Sequence, residues 1–114
     1  MHEASLAISL LETVSDICRQ KGFQSIESVR LKVGKAAGIL PDALLFAFDV
    51  AKADSIASQA ELIIEHVSLG GICYDCGLQF ESEERYIFNC PVCQSSAIKI
   101  TKGDEMQIID MEVN

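Results

Sequence analysis

Hydrophobic residues near the start of the chain recur at intervals of three and four, the spacing of one face of an α-helix. These positions are Leu6, Leu10, Leu11, Val14, Ile17 and Cys18. Ser5 is a candidate N-cap and Gly22 the expected stop, so we predict the first helix between them. Because Cys18 lies on the apolar stripe, we expect a buried, inert thiol there and not a metal ligand.

The pattern changes to a period of two within Ser25–Gly34, where Val29, Leu31 and Val33 alternate with polar residues, which predicts a half-buried β-strand. Residues 35–40 contain a glycine and lead into Pro41, so we predict a loop there. Pro41 and Asp42 are suited to open a second helix, because proline fits the first turn and an acid there complements the helix dipole.

Two further segments have strand character. Residues 61–69 form an apolar, imperfectly alternating run, and the segment after Gly103 is again strand-like. Between them, Gly70-Gly71 marks the expected domain boundary. The stretch that follows, up to residue 102, has too few large apolar residues to fold by burial alone and needs a staple.

Composition limits the class of protein. The chain has 114 residues, five cysteines and a formal net charge of -8. The acidic balance disfavours a nucleic-acid-binding module, which needs clustered Lys and Arg. No apolar run reaches the roughly 20 residues that cross a bilayer, and no secretory leader is recognisable. Cysteines without a leader favour a reducing compartment, so we expect a cytoplasmic protein whose thiols bind metal.

Four of the cysteines form two C-x-x-C pairs separated by 13 residues: Cys73, Cys76, Cys90 and Cys93. Two such knuckles complete a tetrahedron of thiolates with no open position, which is typical of structural zinc. Iron bound by the same four sulfurs remains an alternative. Two disulfides would need an oxidising compartment, and a thioredoxin-like dithiol would need a βαβ unit, which the order of elements lacks. Gln94 occupies the position after the second knuckle where glycine follows the first, so it is expected to adopt a left-handed conformation.

The predicted fold class is α+β, with two helices on a three-stranded sheet and an inserted four-cysteine zinc-ribbon module. We predict two domains. The α+β domain comprises residues 1–69 and 103–114, and the zinc-binding domain comprises residues 70–102.

The chain begins Met1-His2-Glu3. By itself this reads most simply as a solvated end of the chain. An N-terminal amine, the following backbone nitrogens and an imidazole can also form fused chelate rings around one ion. An all-nitrogen square-planar set suits Ni(II) or Cu(II). Such a site weakens as the pH falls, because the α-amino group has a pKa of about 7.7–8.0.

Several motifs occur together in a recognisable order. They are Met1-His2-Glu3, Val29–Gly34 with Lys35-Ala36-Ala37-Gly38-Ile39, Pro41-Asp42-Ala43-Leu44 with Phe46-Ala47-Phe48, the two knuckles, and Gly103-Asp104-Glu105-Met106. In this combination the chain closely resembles the HypA/HybF family of nickel-insertion proteins for nickel–iron hydrogenase maturation. The resemblance extends along essentially the whole chain.

The resemblance implies a non-enzymatic nickel metallochaperone. Ni(II) is its transient cargo, held by the Met1 amine, the imidazole and backbone nitrogen of His2 and the backbone nitrogen of Glu3. Zinc(II) is its structural metal, held by the four knuckle cysteines. The implied partners are a HypB-like nickel-handling maturation GTPase, the hydrogenase large-subunit precursor and, in some organisms, urease accessory proteins. No nucleic acid or membrane is expected as a partner.

Some positions depart from the family pattern, among them Ala4, Gln94, Gln107 and Ile109. Asp42 falls where some relatives have an acid near the nickel, although a cap on the second helix is the simpler interpretation. His66 is expected to be solvated or locally bonded. The residues alone leave two other functions open: a zinc-ribbon adaptor and an iron–sulfur electron carrier. We find no nucleophile–base set that indicates an enzyme.

Overall fold

The computed structural model describes residues 3–84 and 86–114; Met1, His2 and Arg85 lie outside the described residues. The described residues form two α-helices and two three-stranded sheets, which confirms the predicted α+β class. In chain order the elements are α1 (Glu3–Gln20), β1 (Ile26–Gly34), α2 (Pro41–Ala51), β2 (Glu61–Val67), β3 (Leu69–Cys73), β4 (Gln79–Ser82), β5 (Ile98–Lys102) and β6 (Met106–Val113). The sheets have the strand orders β2-β1-β6 and β4-β3-β5.

Helix α1 begins earlier than the sequence suggested. It already includes Glu3 and Ala4, so the prediction that Ser5 is the N-cap is wrong. An N-cap residue lies outside the helical conformation, which Ser5 does not. The acidic Glu3 in the first turn complements the positive end of the helix dipole instead.

The end of α1 follows the prediction. Gly22 has a φ of +80°. The N–H of Phe23 donates to the carbonyl of Cys18 at 3.0 Å, and the N–H of Gly22 donates to that of Arg19 at 3.1 Å. These two bonds form a Schellman motif, in which a left-handed residue closes the last turn and satisfies its carbonyls. The predicted helix stop at Gly22 is therefore confirmed.

The hydrophobic core of the helical region lies where α1 and α2 pack together with strand residues. Its fully buried side chains include Ala7, Val14, Cys18, Ile26, Val29, Leu31, Leu44 and Phe48. Burying each large apolar side chain stabilises the fold by about 1.5–3 kcal/mol. Cys18 has no exposed surface, so its predicted burial is confirmed.

The chain runs almost directly from the first sheet into the second. β2 ends at Val67 and β3 begins at Leu69, so the prediction of one strand over residues 61–69 is wrong in its last residues. Only Leu69, the last residue of that run, belongs to the second sheet. The structure also adds β4 and β5, which pair antiparallel with the two edges of β3.

Gly70 and Gly71 lie inside β3. A Cβ atom on Gly71 would come within 2.7 Å of both the Lys99 carbonyl oxygen and the Phe80 ring, and one on Gly70 would come within 2.8 Å of the Lys102 side chain. At Gly71 one of the neighbours is backbone, so only a residue without a side chain permits this close approach. The two glycines thus let the small sheet close around its central strand.

The chain divides into two compact units. One contains the residues up to Leu31 together with Ile39–Glu65 and Gln107–Asn114; the other contains Lys32–Gly38 and His66–Met106. In the second unit, the N–H groups of residues 34, 35 and 36 donate to the carbonyls of residues 105, 67 and 103 at 2.7–2.9 Å. The domain boundaries drawn from the sequence stay a prediction.

Candidate metal centre

The first cysteine knuckle is a tight turn at the end of β3. Cys73 is the last residue of the strand, and its N–H donates to the Leu78 carbonyl at 2.9 Å. The N–H of Gly77 donates back to the Cys73 carbonyl at 2.9 Å, and Gly77 has a φ of +75°. The turn thus curls the chain around the two sulfurs of Cys73 and Cys76.

The second knuckle repeats these hydrogen bonds at the same spacing. The N–H of Cys90 donates to the Ser95 carbonyl at 2.8 Å, and the N–H of Gln94 donates to the Cys90 carbonyl at 3.0 Å. Gln94 has a φ of +66°, the only positive φ among the described non-glycine residues. The predicted left-handed conformation at this position is therefore confirmed.

The two turns bring the four predicted cysteine ligands together. All four Sγ atoms lie within 4.8 Å of one another. Between the knuckles, Cys73 Sγ lies 3.6 Å from Cys93 Sγ, and Cys76 Sγ lies 3.7 Å from Cys90 Sγ. A Zn–S bond of about 2.3 Å implies a tetrahedral edge of about 3.8 Å. The donor set fits a four-coordinate metal, and the sulfurs are too far apart for disulfides, whose S–S bond is about 2.05 Å.

The backbone of the second knuckle stabilises negative charge on sulfur. The N–H groups of Cys93 and Val92 point at Cys90 Sγ, at 3.5 and 3.4 Å, and these bonds lower the pKa of Cys90 to about 7. For Cys93 the N–H of Ser95 acts in the same direction. Its bonds to the other thiols and its desolvation outweigh this and raise the pKa of Cys93 to about 12. Thiols this close ionise together only when a cation compensates their charge.

Each knuckle contributes one buried and one exposed thiol. Cys73 and Cys90 have no exposed surface, whereas Cys76 and Cys93 are exposed. The four positions thus form a site that is closed on one side by protein and reachable from solvent on the other.

The predicted nickel ligands are described only at Glu3, the first residue of α1. Met1 and His2 lie outside the described residues. The Glu3 carboxylate accepts a hydrogen bond from the N–H of Leu40 at 3.3 Å, at the residue that precedes α2. Asp42 lies in the first turn of α2, as predicted for an acid at a helix start, but the N-cap residue is Leu40, so the prediction that Asp42 caps this helix is wrong.

Comparison with known proteins decides the family. A family model described as "Hydrogenase/urease nickel incorporation, metallochaperone, hypA" matches residues 1–113. The chain belongs to the HypA family. The resemblance found in the sequence is thereby confirmed, and the protein is a metallochaperone and maturation factor and not an enzyme.

Curated HypA relatives match along nearly their full length. The hydrogenase maturation factor HypA of Rhizobium leguminosarum bv. viciae is 41% identical over 113 residues, which cover 99% of each chain. That of Chlorobium luteolum is 44% identical over 108 residues, which cover 95% of this chain and 92% of the relative.

Solved HypA structures share the fold. The solution structure of the Ni metallochaperone HypA from Helicobacter pylori aligns with a TM-score of 0.70 at 25% identity, covering 99% of this chain and 97% of that one. A second HypA solution structure aligns with a TM-score of 0.73 at 25% identity, covering 100% and 97%.

Sequence reasoning missed one feature of this HypA chain. An apolar groove of about 560 Å³ lies between α1 and α2, beside Glu3, and is lined by Ile8, Phe46 and Val50 among others. Phe46 is 71% exposed. The available signal was that these three residues lie off the buried faces of their helices. Among the described helices, none is long and apolar enough to span a bilayer.

Proposed function

We propose that this HypA protein binds Ni(II) at its amino terminus and delivers the ion to the hydrogenase large-subunit precursor. The proposed ligands are the Met1 amine, the imidazole and backbone nitrogen of His2, and the backbone nitrogen of Glu3. Four nitrogens in a plane suit Ni(II), and a carrier must bind its ion reversibly. Membership of a nickel-incorporation family supports the cargo.

The observation that carries the proposed ligand set is the position of Glu3 as the first residue of α1. The first four N–H groups of an α-helix have no acceptor within the helix's own ladder. As the third residue of the chain, Glu3 supplies a backbone nitrogen that can close a fused chelate ring with the nitrogens of the two residues before it. Its carboxylate, bonded at the start of α2, acts as a positioning group in this proposal.

The resident metal in the proposal is a structural Zn(II) on Cys73, Cys76, Cys90 and Cys93. The sulfur spacing fits a tetrahedral thiolate site, and four protein ligands leave no position for substrate. Elemental analysis of the purified chain tests this assignment. One zinc per chain is the expected result, and iron with a coloured protein would favour an electron carrier.

We further propose a cytoplasmic location and transient binding to a HypB-like maturation GTPase. Urease accessory proteins are proposed as additional partners, because the family model names both hydrogenase and urease. A transfer assay in which the loaded chain supplies Ni(II) to the large-subunit precursor, with and without the GTPase, tests delivery directly.

Nickel titration into four forms of the full chain tests the amino-terminal site. The forms are the parent, a chain with one glycine before Met1, His2→Ala and His66→Ala. We expect the parent and His66→Ala to show the same affinity and the absorption of square-planar Ni(II). The added glycine shifts the amine out of register with the imidazole, and His2→Ala removes the imidazole, so both should lose that spectrum.

His66 is the matched control, since the chain has two histidines and His66 lies exposed in β2. Equal nickel affinity and spectrum in the parent and the extended chain would refute the amino-terminal ligand set. Loss of binding in His66→Ala would move the site to β2. Asp42→Asn belongs to the same series, and unchanged binding would confine Asp42 to its role at the start of α2.

A further inference from the structure

Ser95 makes hydrogen bonds to both cysteine knuckles. Its backbone carbonyl accepts the N–H of Cys90 at 2.8 Å, which holds it to the second knuckle. Its hydroxyl donates to the Asp75 carboxylate, which lies between the two cysteines of the first knuckle. One residue therefore connects two turns that are otherwise 13 residues apart in the chain.

A second set of bonds closes this connection into a ring. The Ser95 hydroxyl accepts the N–H of Ala97 at 3.0 Å. The carbonyl of Ala97 in turn accepts the N–H of Tyr74 at 2.8 Å, within the first knuckle. The hydroxyl thus uses both its donor and its acceptor capacity, so the Asp75–Ser95 bond is fixed in direction.

We propose that Asp75 and Ser95 are positioning residues that clamp the two knuckles together and slow the loss of the metal bound by the four cysteines. Neither residue is a ligand. Two sulfur pairs, Cys73–Cys93 at 3.6 Å and Cys76–Cys90 at 3.7 Å, join one knuckle to the other, so the four-sulfur ligand set is complete only while the knuckles stay together. Partners outside the ligand set that orient a metal site typically change metal affinity 10–100-fold when removed.

The clamp works through its hydrogen bond and not through the charge of Asp75. Four thiolates around a divalent ion already have a formal charge of about -2, so a further carboxylate nearby repels them electrostatically. Asn can accept the same bond from the Ser95 hydroxyl without the charge. Asp75→Asn therefore separates the two contributions.

The test measures how fast the zinc-loaded full chain releases zinc to an excess of a colorimetric chelator. We expect Asp75→Ala and Ser95→Ala each to release zinc about tenfold faster than the parent. The double variant should be no faster than either single variant, because both remove the same bond. Asp75→Asn should stay within about twofold of the parent.

Ser96→Ala is the matched control, since it makes the same substitution one residue along and should release zinc at the parent rate. Cobalt(II) spectra of all forms check that the four-sulfur ligand set is unchanged. Parent-like rates in both single variants would overturn the proposal. It would also fail if the two accelerations multiplied in the double variant, if Asp75→Asn behaved like Asp75→Ala, or if the cobalt bands shifted.

Discussion

Each of the two compact units is stabilised internally in a different way. The helical unit buries large side chains from both helices and their neighbouring strands, among them Val14, Leu44 and Phe48. The unit with the cysteine cluster has few buried side chains of that size, and its central strand contains two adjacent glycines. Burial stabilises the first unit, whereas backbone packing and, in our proposal, a metal bound by the four cysteines stabilise the second.

This difference teaches how a short chain can support two kinds of site. A core-packed unit loses stability gradually as side chains are trimmed. The stability of a unit that folds around a metal depends on each ligand atom, because its folding energy comes largely from binding the ion. Substitutions of comparable size should therefore have very different consequences in the two units.

The largest effect is expected from removing one ligand of the cluster. Cys90→Ser should abolish stoichiometric zinc binding and expose the amides of β3 and β5 to hydrogen exchange, while α1 and α2 stay protected. Zinc contributes about 10–16 kcal/mol of apparent binding energy in zinc-finger peptides. Elemental analysis and hydrogen exchange followed by NMR measure both outcomes.

Cys18→Ala is the control, because this thiol is fully buried in α1 and is not part of the cluster. It should keep one zinc per chain. If β3 and β5 remain protected in Cys90→Ser, burial alone holds the second unit and the contrast between the units disappears.

The next largest effect is expected in the helical core. Phe48 is fully buried, and Phe48→Ala should lower the free energy of unfolding by about 3–5 kcal/mol, since it leaves a cavity in the core. Phe46→Ala removes a phenyl ring from the exposed side of α2 and should change the free energy of unfolding by about 0.5 kcal/mol or less. Denaturant titration checks both, and zinc stoichiometry should be unchanged in each.

Alanine substitutions at two glycines separate the cost of a left-handed backbone conformation from the cost of a steric clash with neighbouring atoms. Gly38 and Gly103 both have a positive φ, but only a Cβ on Gly103 meets neighbours, at 2.6 Å from Leu69 Cα and 2.9 Å from the Ser68 carbonyl oxygen. Gly38→Ala should cost about 1–2 kcal/mol through its left-handed conformation. Gly103→Ala should cost about 1–3 kcal/mol more through overpacking. Equal melting temperatures for the two variants would argue against the close packing at Gly103.

The smallest effect is expected on the surface of the first sheet. Arg30 donates to Asp110 through Nε at 3.2 Å and Nη2 at 2.5 Å, and this bond holds the pKa of Asp110 below its usual range. Because the folded-state pKa is lowered, the stabilisation is present above the ordinary carboxyl pKa and is lost as the pH falls through the lowered value. Asp110→Asn should therefore lower Tm slightly near neutral pH and not in strong acid.

Glu112→Gln serves as the comparison for Asp110→Asn, since it removes a charge from the same strand without removing a bond to Arg30. A thermal melt series over pH measures both variants. A difference between parent and Asp110→Asn that grows toward acid would contradict the assigned direction of the pKa shift.

The elements with a strong hydrophobic period were predictable from the sequence. The stripe through Leu10, Val14 and Cys18 predicted α1, and the alternation of apolar and polar residues over 28–33 predicted β1. The cysteine spacing predicted the cluster, and the residue after each knuckle predicted two left-handed positions. In each of these cases the local pattern and the tertiary environment require the same conformation.

The second sheet was not predictable in the same way. β4 has only four residues, and β3 gains its position from Gly70 and Gly71, which carry no hydrophobic signal. Glycine is an ordinary marker of a turn, so the pattern indicated a boundary where the structure has a central strand. The close neighbours that a side chain on Gly71 would meet come from residues about 10 and 30 positions away in sequence, Phe80 and Lys99.

In the proposed zinc centre, two cysteines are buried and two are exposed, and this difference sets the order in which they meet solvent. A chelator or an oxidant arriving from solvent meets Cys76 and Cys93 first, one on each turn. The two sulfurs it reaches last, on Cys73 and Cys90, also belong to different turns. After the two exposed sulfurs dissociate, an ion in this centre would still be bound by one sulfur from each turn. Rebinding of the exposed sulfurs would then compete with release of the ion until Cys73 and Cys90 also dissociate.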